Sequence, residues 1–155
     1  MISWNPGSSQ GRQTRGEPYK IMKYLLDTNI CIYIIKDNPK KVVNVFRSHP
    51  ISSICISSIT LSELEFGIEK SSNIEKNRIA LTKFLAPIDI CHYDSRASMY
   101  YGKTRAYLEK RGNPIGPLDT LIAAHCLSLN YTLVTNNEKE FNKIPNLQVI
   151  NWVNF

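Results

Sequence analysis

The apolar residues of this chain fall into short blocks that alternate between two kinds of periodicity. Runs rich in Ile, Leu and Val predict buried β-strands, and the stretches between them have the three- and four-residue apolar spacing of amphipathic helices. The predicted strands are residues 23–26, 51–56, 88–91, 132–135 and 147–150. The predicted helices cover about 30–36, 41–47, 60–70, 74–85, 95–110 and 117–129. This alternation predicts an α/β domain with a mostly parallel five-stranded sheet.

Residues 1–21 differ from the rest of the chain because they have no apolar periodicity. They hold three glycines and two prolines, so we expect a disordered N-terminal extension. The folded domain is expected to cover residues 22–155, starting at a methionine directly before the first strand. The basic residues Arg12, Arg15 and Lys20 leave open a less favoured alternative, an arm that contacts RNA.

The overall charge favours an acidic partner without identifying it. The formal net charge is +6, but basic residues are scattered with no run longer than two, so nucleic acid is only the first candidate. No apolar run approaches the roughly 18 residues of a membrane span, and we expect a soluble, cytoplasmic protein. The four cysteines stand far apart without a C-x-x-C pair, which favours buried thiols over a zinc site or disulfides.

Three acidic residues stand where an ordinary structural role is available to each. Asp27 ends the first strand and is placed to cap the next helix. Glu63 completes the sequence Thr60-Leu-Ser-Glu63, which fits a capping box. Asp119 follows Pro117 in the first turn of a helix, where the helix dipole favours negative charge. Taken alone, each acid is explained by its local structure.

The predicted topology brings these three acids together. In an open parallel sheet the carboxyl ends of the strands meet at one edge, where ligands bind. Asp27 and Glu63 both follow strands, and the helix that begins near Asp119 leads back to the strand at 132–135. The loop after that strand, residues 135–138, adds polar oxygens. We therefore expect three carboxylates to converge from distant parts of the sequence.

Such a cluster needs a counter-charge. Two carboxylates about 5 Å apart repel by roughly 3 kcal/mol at an effective dielectric of about 20. Three such pairs total on the order of 10 kcal/mol, comparable with the stability of a whole domain. Protonation or a divalent cation relieves this repulsion. Because no histidine or cysteine joins the cluster, Mg²⁺ or Mn²⁺ fits better than zinc, and such an ion can promote phosphodiester hydrolysis.

Four sequence motifs carry these acids and the polar loop. They are Tyr24-Leu-Leu-Asp-Thr-Asn29, Ser57-Ser-Ile-Thr-Leu-Ser-Glu-Leu64, Gly116-Pro-Leu-Asp-Thr-Leu-Ile-Ala-Ala124, and Leu133-Val-Thr-Asn-Asn137 followed by Glu140-Phe141. In this order and spacing the chain resembles PIN-domain ribonucleases of the VapC toxin type, from Met22 almost to the C-terminus. The resemblance implies a three-layer α/β/α sandwich and metal-dependent endonucleolytic cleavage of RNA. It also implies a cognate VapB-type antitoxin and a homodimer.

The resemblance also assigns roles to residues by their positions in the motifs. The implied catalytic and metal-binding residues are Asp27, Glu63 and Asp119. The implied supporting polar residues are Thr28, Asn29 and Thr135. Many family members have a fourth acid where this chain has Asn137, so the number of ions, one or two, stays open, and Glu140 is the candidate replacement. No residue is an obvious general base, so water activated by the ion is the expected nucleophile.

The surfaces for RNA and for the antitoxin are less well defined. The stretch Tyr100-Tyr-Gly-Lys-Thr-Arg105 interleaves aromatic and basic residues, as an RNA-binding face does. A helix with inward tyrosines explains it equally well. Arg105 is the residue expected to reach a phosphate, and the resemblance favours transfer RNA as the substrate. Ile32 and Ile35 are candidates either for an antitoxin groove or for the core.

Two other functions remain as alternatives. Phosphatases of the haloacid dehalogenase type also begin with a strand that ends in a nucleophilic aspartate, but they have a second aspartate where this chain has Asn29. An RNA-binding or regulatory domain with a degenerate metal site is the non-enzymatic alternative, and Asn137 is its support.

Overall fold

The computed structural model of the protein describes residues 22–155. The extension predicted for residues 1–21 lies outside the described residues. The strands are β1 (Tyr24–Leu26), β2 (Ile54–Ser57), β3 (Asp89–Cys91), β4 (Thr132–Val134) and β5 (Gln148–Ile150). The helices are α1 (Thr28–Ile35), α2 (Lys40–Ser48), α3 (Ser58–Lys70), α4 (Ile74–Leu85), α5 (Ser95–Lys110), α6 (Pro117–Leu129) and α7 (Glu138–Phe141). Short 3₁₀ turns cover Ile51–Ser53 and Trp152–Asn154.

All five strands form one parallel sheet in the order β3-β2-β1-β4-β5. The predicted α/β class and five-stranded sheet are confirmed. The chain moves outward from β1 to β3 and then crosses back to β4, so the order of the strands reverses between β1 and β4. In open α/β sheets this reversal opens a crevice at the carboxyl ends of the strands. Asp27 directly follows β1 and Thr135 directly follows β4.

Helices cover both faces of the sheet, which explains why its strands are almost continuously apolar. Leu26, Ile56 and Val134 point to one face and pack with residues of α1 to α4. Leu25 and Leu133 point to the opposite face and pack with residues of α5 and α6. Because side chains alternate along a strand, successive apolar residues serve two cores. The result is the three-layer α/β/α arrangement.

The start of the second strand and the presence of a seventh helix differ from the prediction. The apolar run 51–56 predicted a single strand, but its first half forms a 3₁₀ turn in which Ser53 donates its amide and its hydroxyl to the carbonyl of Pro50. The strand β2 therefore starts at Ile54 and extends to Ser57. The four-residue helix α7 was not predicted, because a single helical turn has too few residues for a detectable period.

Helices α5 and α6 pack against each other, and their contacts fix the direction of α5. Tyr93, just before α5, has its ring edge on His125 of α6 with centroids 5.4 Å apart. At the other end, Leu108 of α5 lines a small cavity together with Pro117 and Thr120 of α6. The C-terminal half of α5 thus lies beside the first turn of α6. Within residues 22–155, no helix has the length and apolarity needed to cross a membrane.

Candidate active site

Asp27 is held rigidly at the carboxyl end of β1. Its side chain is 5% exposed. The backbone amide of Thr28 donates to Oδ1 at 2.8 Å, and the Thr135 hydroxyl donates to Oδ2 at 2.7 Å. Asp27 is therefore the N-cap of α1, as its local sequence predicted. Through Thr135 it is also linked to the end of the neighbouring strand β4. Burial raises the pKa of Asp27, while the bonds from Thr135 and Thr28 act in the opposite direction.

Glu63 is fixed by a long-range contact and not by a capping box. The hydroxyl of Thr28 donates to Oε1 of Glu63 at 2.8 Å. The capping-box prediction for Thr60 and Glu63 is wrong, because α3 begins earlier and Ser57 is its N-cap, accepting from the amide of Ile59 at 3.1 Å. Thr28 thus contacts Asp27 through its backbone and Glu63 through its side chain, which joins two carboxylates from separate elements.

Asp119 lies in the first turn of α6, where Pro117 occupies the start of the helix as predicted. The pKa of Asp119 is raised to about 6, first by burial and then by the negative charges of Asp27, Glu63 and Glu140. A weak hydrogen bond from the side-chain amide of Asn137 to Oδ2 of Asp119, at 3.5 Å, opposes this rise in pKa. Because the charges of Asp27 and Glu63 contribute to this rise, the three acids interact electrostatically.

These acids line one open cavity, which we call the acidic pocket, with a volume of about 290 Å³. Its lining residues are Asp27, Thr28, Asn29, Glu63, Asp119, Asn136 and Asn137. The structure therefore brings together the three predicted acids and three of the predicted polar residues. Thr135 is fully buried beneath them. Its hydroxyl donates to Asp27 and accepts from the backbone amide of Asn137 at 3.0 Å.

Asn136 is a pocket residue that was absent from the predicted site. Its amide donates to the Tyr33 hydroxyl at 3.2 Å, and its carbonyl oxygen accepts from Asn151 at 3.2 Å. Asn151 also donates to Glu138 at 3.1 Å, so the loop after β4 is braced from two sides. The run of two asparagines marked this loop in the sequence, but its contacts come from residues far along the chain.

Besides the buried Thr135, two predicted site residues lie outside the acidic pocket, and these two make no hydrogen bond to the acids. Glu140 is not among its lining residues and forms an ion pair with Lys143 at 3.1 Å, although its charge still acts on Asp119. Arg105 is on the exposed surface of α5, where its guanidinium contacts Glu109 at 2.8 Å and the Tyr101 hydroxyl at 3.1 Å. Neither side chain touches the three acids directly.

Comparison with known proteins agrees with this geometry. The family model of the PIN domain matches residues 24–147. The chain is 40% identical over 132 residues to the tRNA(fMet)-specific endonuclease VapC of Salmonella typhimurium, covering 85% of this chain and 99% of the relative. It is 45% identical over 132 residues to ribonuclease VapC2 of Rickettsia felis, covering 84% and 98%.

The chain belongs to the PIN-domain family, among the VapC ribonucleases.

Solved structures of VapBC complexes have the same fold. The chain superposes on VapBC2 from Rickettsia felis bound to a promoter DNA fragment with a TM-score of 0.79, at 44% identity and covering 84% of this chain and 99% of that one. It superposes on DNA-bound VapBC from Salmonella typhimurium with a TM-score of 0.80, at 40% identity and covering 84% and 98%. Because the chain is a PIN domain related to the VapC ribonucleases, the phosphatase alternative is disfavoured.

The acidic pocket of this PIN domain has the donor chemistry that a hard divalent cation prefers. Its possible ligands are carboxylate, amide and hydroxyl oxygens. Among the described residues, no three Asp, Glu, His or Cys side chains form a ready-made cage. Mg²⁺ does not need one, since it is usually held by one or two carboxylates together with water and substrate phosphates. Besides burial, the negative charges of Asp27, Glu63 and Glu140 raise the pKa of Asp119, and a cation in the pocket would offset these charges.

Proposed function

We propose that this protein is a toxin ribonuclease that uses Mg²⁺ or Mn²⁺ to cleave a phosphodiester bond of structured RNA, with transfer RNA as the substrate class. The observation that carries the proposal is the convergence of Asp27, Glu63 and Asp119 on one pocket at the carboxyl edge of the sheet. The name of the Salmonella typhimurium relative, a tRNA(fMet)-specific endonuclease, supports the choice of RNA.

The residues of the pocket would hold the ion in a fixed position. Asp27 is preorganised, because both of its oxygens accept hydrogen bonds from groups on α1 and β4. Thr28 engages only Oε1 of Glu63, and among the described residues no donor engages Oε2. When bound, the ion supplies positive charge that activates water and stabilises the in-line transition state. Three carboxylates alone would repel the phosphates of RNA, so the acids act as ligands.

A second cavity borders the acidic pocket and supports the proposal of an antitoxin partner. This apolar groove has a volume of about 250 Å³ and lies between α1, α3 and α4. Its apolar lining residues are Ile32, Ile35, Leu64, Ile68 and Leu81. Glu63 lines both cavities, so a segment docked in the groove would lie directly beside the acids. The VapBC complexes among the solved relatives support a VapB-type partner.

The experiment that tests the proposal is cleavage of total cellular RNA by antitoxin-free protein. With Mg²⁺ or Mn²⁺ we expect discrete fragments on a denaturing gel, and with a chelator we expect none. Adding the antitoxin encoded beside the toxin is expected to stop the reaction. Light scattering of the same preparation tests the implied homodimer.

The outcomes of this experiment separate the alternatives. Cleavage that survives the chelator would contradict a metal-dependent mechanism. RNA binding without cleavage, in saturating divalent ion, would favour the binding domain with a degenerate site. Release of phosphate from small phosphomonoesters, with RNA left intact, would restore the phosphatase alternative.

Arg105 is proposed to contact an RNA phosphate near the pocket. Its side chain is 59% exposed, and it lines the cavity beside Pro117, next to the helical turn that holds Asp119. We expect Arg105→Gln to raise KM with little change in kcat. We also expect the slope of the logarithm of RNA affinity against the logarithm of salt concentration to become shallower by about one. The measurement is RNA affinity at several salt concentrations, together with steady-state cleavage.

Lys103 is the matched control for this variant. It lies on another face of α5, with its ammonium 5.7 Å from the ring centre of Tyr100, in a row that continues with Arg96 and Arg111. Lys103→Gln should change binding less than Arg105→Gln. A larger loss with Lys103→Gln would show that RNA follows the other face, and a changed oligomeric mass would assign that face to self-association.

A further inference from the structure

A buried hydrogen bond links the two helices that carry Glu63 and Asp119. The hydroxyl of Ser57 lies 2.7 Å from Nδ1 of His125, and these two residues are 68 positions apart in sequence. Ser57 is 0% exposed and His125 is 1% exposed. Neither side chain lines the acidic pocket. The bond is therefore a feature of the interior that no direct contact with substrate explains.

Ser57 controls the start of the helix that presents Glu63. It is the last residue of β2, and its hydroxyl oxygen accepts from the amide of Ile59 as the N-cap of α3. Glu63 lies between one and two helical turns further along α3. A shift or rotation of the first turn of α3 would therefore move the Glu63 carboxylate.

His125 lies on the helix that presents Asp119, six positions further along α6. The helices α3 and α6 lie on opposite faces of the sheet, since Leu64 and Ile68 belong to one core and Ile122 and Cys126 to the other. Most of α3 and α6 pack in different cores, and only Ile59 in the first turn of α3 reaches the core that contains Ile122 and Cys126. The bond from Ser57 to His125 joins α6 to the last residue of β2, which is also the N-cap of α3.

The surroundings of His125 favour a neutral ring with a defined direction of hydrogen bonding. Burial lowers the pKa of His125, which outweighs the nearby charge of Asp94. A neutral imidazole has one donor and one acceptor nitrogen. Because the Ser57 oxygen already accepts from the amide of Ile59, its hydroxyl proton is available to donate to Nδ1 of the neutral ring.

We infer that His125 is a positioning residue, which acts through Ser57 to fix the Glu63 carboxylate relative to Asp119. The inference rests on the proposed function, because it concerns the geometry of the same acidic pocket. It predicts that loss of the bond weakens binding of the divalent ion and slows cleavage, while the affinity for RNA is unchanged.

The test compares two substitutions of similar size, His125→Asn and His125→Leu. Asparagine places a polar atom near the position of Nδ1 and can keep the bond to Ser57, whereas leucine cannot. Misplacement of a reacting group by about 1 Å can cost on the order of a hundredfold in rate. We expect His125→Leu to lower kcat by about ten- to a hundredfold without raising KM, and His125→Asn to stay within about threefold of wild type.

A second readout does not depend on activity. Mn²⁺ titrated into RNA-free protein, followed by calorimetry, should bind about tenfold more weakly to His125→Leu and normally to His125→Asn. Val43→Ala is the control for stability, because Val43 is buried in α2 and does not line the acidic pocket. Assays are run at a temperature where every variant is folded by circular dichroism. If His125 had only a structural role, His125→Leu would keep normal Mn²⁺ affinity and kcat, as Val43→Ala does. That result would overturn the inference.

Ser57→Ala provides an independent variant if His125→Leu does not fold. It should show the same loss of Mn²⁺ affinity and kcat, and the double variant should lose no more than either single one if the pair acts as a unit. Normal Mn²⁺ binding by Ser57→Ala would overturn the inference. If wild type binds Mn²⁺ but cleaves no RNA, the proposed function fails, and the titrations still decide the role of His125.

Discussion

The substitution Asp27→Asn is expected to reduce RNA cleavage by roughly a thousandfold while the protein remains folded. An ion ligand supplies several kcal/mol of transition-state stabilisation, and each 1.36 kcal/mol is a factor of about ten. Asparagine keeps an oxygen that can accept from the amide of Thr28. Its amide group can donate to the hydroxyl of Thr135, which can rotate to accept. The charge is lost and the hydrogen bonds are largely kept.

The fold should tolerate this change because the charge of Asp27 is not favourable to folding. Burial raises its pKa, so the ionised form is disfavoured in the metal-free protein. We expect Asp27→Asn to have a normal circular dichroism spectrum and an unfolding temperature at least equal to that of wild type in chelator. Cleavage of labelled RNA in Mg²⁺ or Mn²⁺ is the measurement.

Asp89→Asn is the matched control. It makes the same chemical change at an exposed carboxylate, at the start of β3 and therefore at the opposite edge of the sheet from the acidic pocket. We expect it to cleave like wild type. Equal cleavage by Asp27→Asn and Asp89→Asn would contradict the acidic-site mechanism and point to a contaminating nuclease.

The convergence of the acids was predictable because it depends on topology and not on side-chain detail. The order of strands and helices is visible in the periodicity of the sequence. A parallel sheet then forces residues such as Asp27, which follows β1, and Thr135, which follows β4, to the same edge. Asp119 joined them because its helix leads into β4. No side-chain contact was needed for this prediction.

The contacts that orient the acids were not predictable from local sequence. Both Ser57 and Thr60 are reasonable caps, and only the structure shows that the helix starts after Ser57. The partner of Glu63 is Thr28, which is 35 positions away. Nothing in the sequence around His125 points to its contact with Ser57, which spans a still longer separation. Such pairs depend on how two layers pack, which local propensity does not encode.

The substitution Asp119→Asn is expected to have two opposite effects. Cleavage should fall by roughly a thousandfold, as for the other acids. The free energy of unfolding of the metal-free protein at pH 7.5 should rise, because the pKa of Asp119 in the folded protein is about 6 against an ordinary value of 3.8. The folded state therefore holds this proton more tightly than the unfolded state does. Stability contributed by the protonated form is fully present below about pH 4 and is lost as the pH rises to about 6.

The measurement is thermal unfolding of wild type and Asp119→Asn in chelator at pH 5 and pH 7.5. At each pH we take the difference in unfolding free energy between the two proteins, because the contributions of the other titrating groups cancel in this difference. After allowance for partial exposure of Asp119 to solvent, we expect Asp119→Asn to gain about 1 kcal/mol more at pH 7.5 than at pH 5. Added Mn²⁺ should stabilise wild type and reverse the order of the two proteins, since only wild type keeps all three carboxylates. A loss of stability at pH 7.5 in chelator would contradict this account, because it would mean that the ionised carboxylate stabilises the fold. A gain in stability that accompanies a loss of cleavage would show that the acids are arranged for the ion at the expense of the metal-free fold.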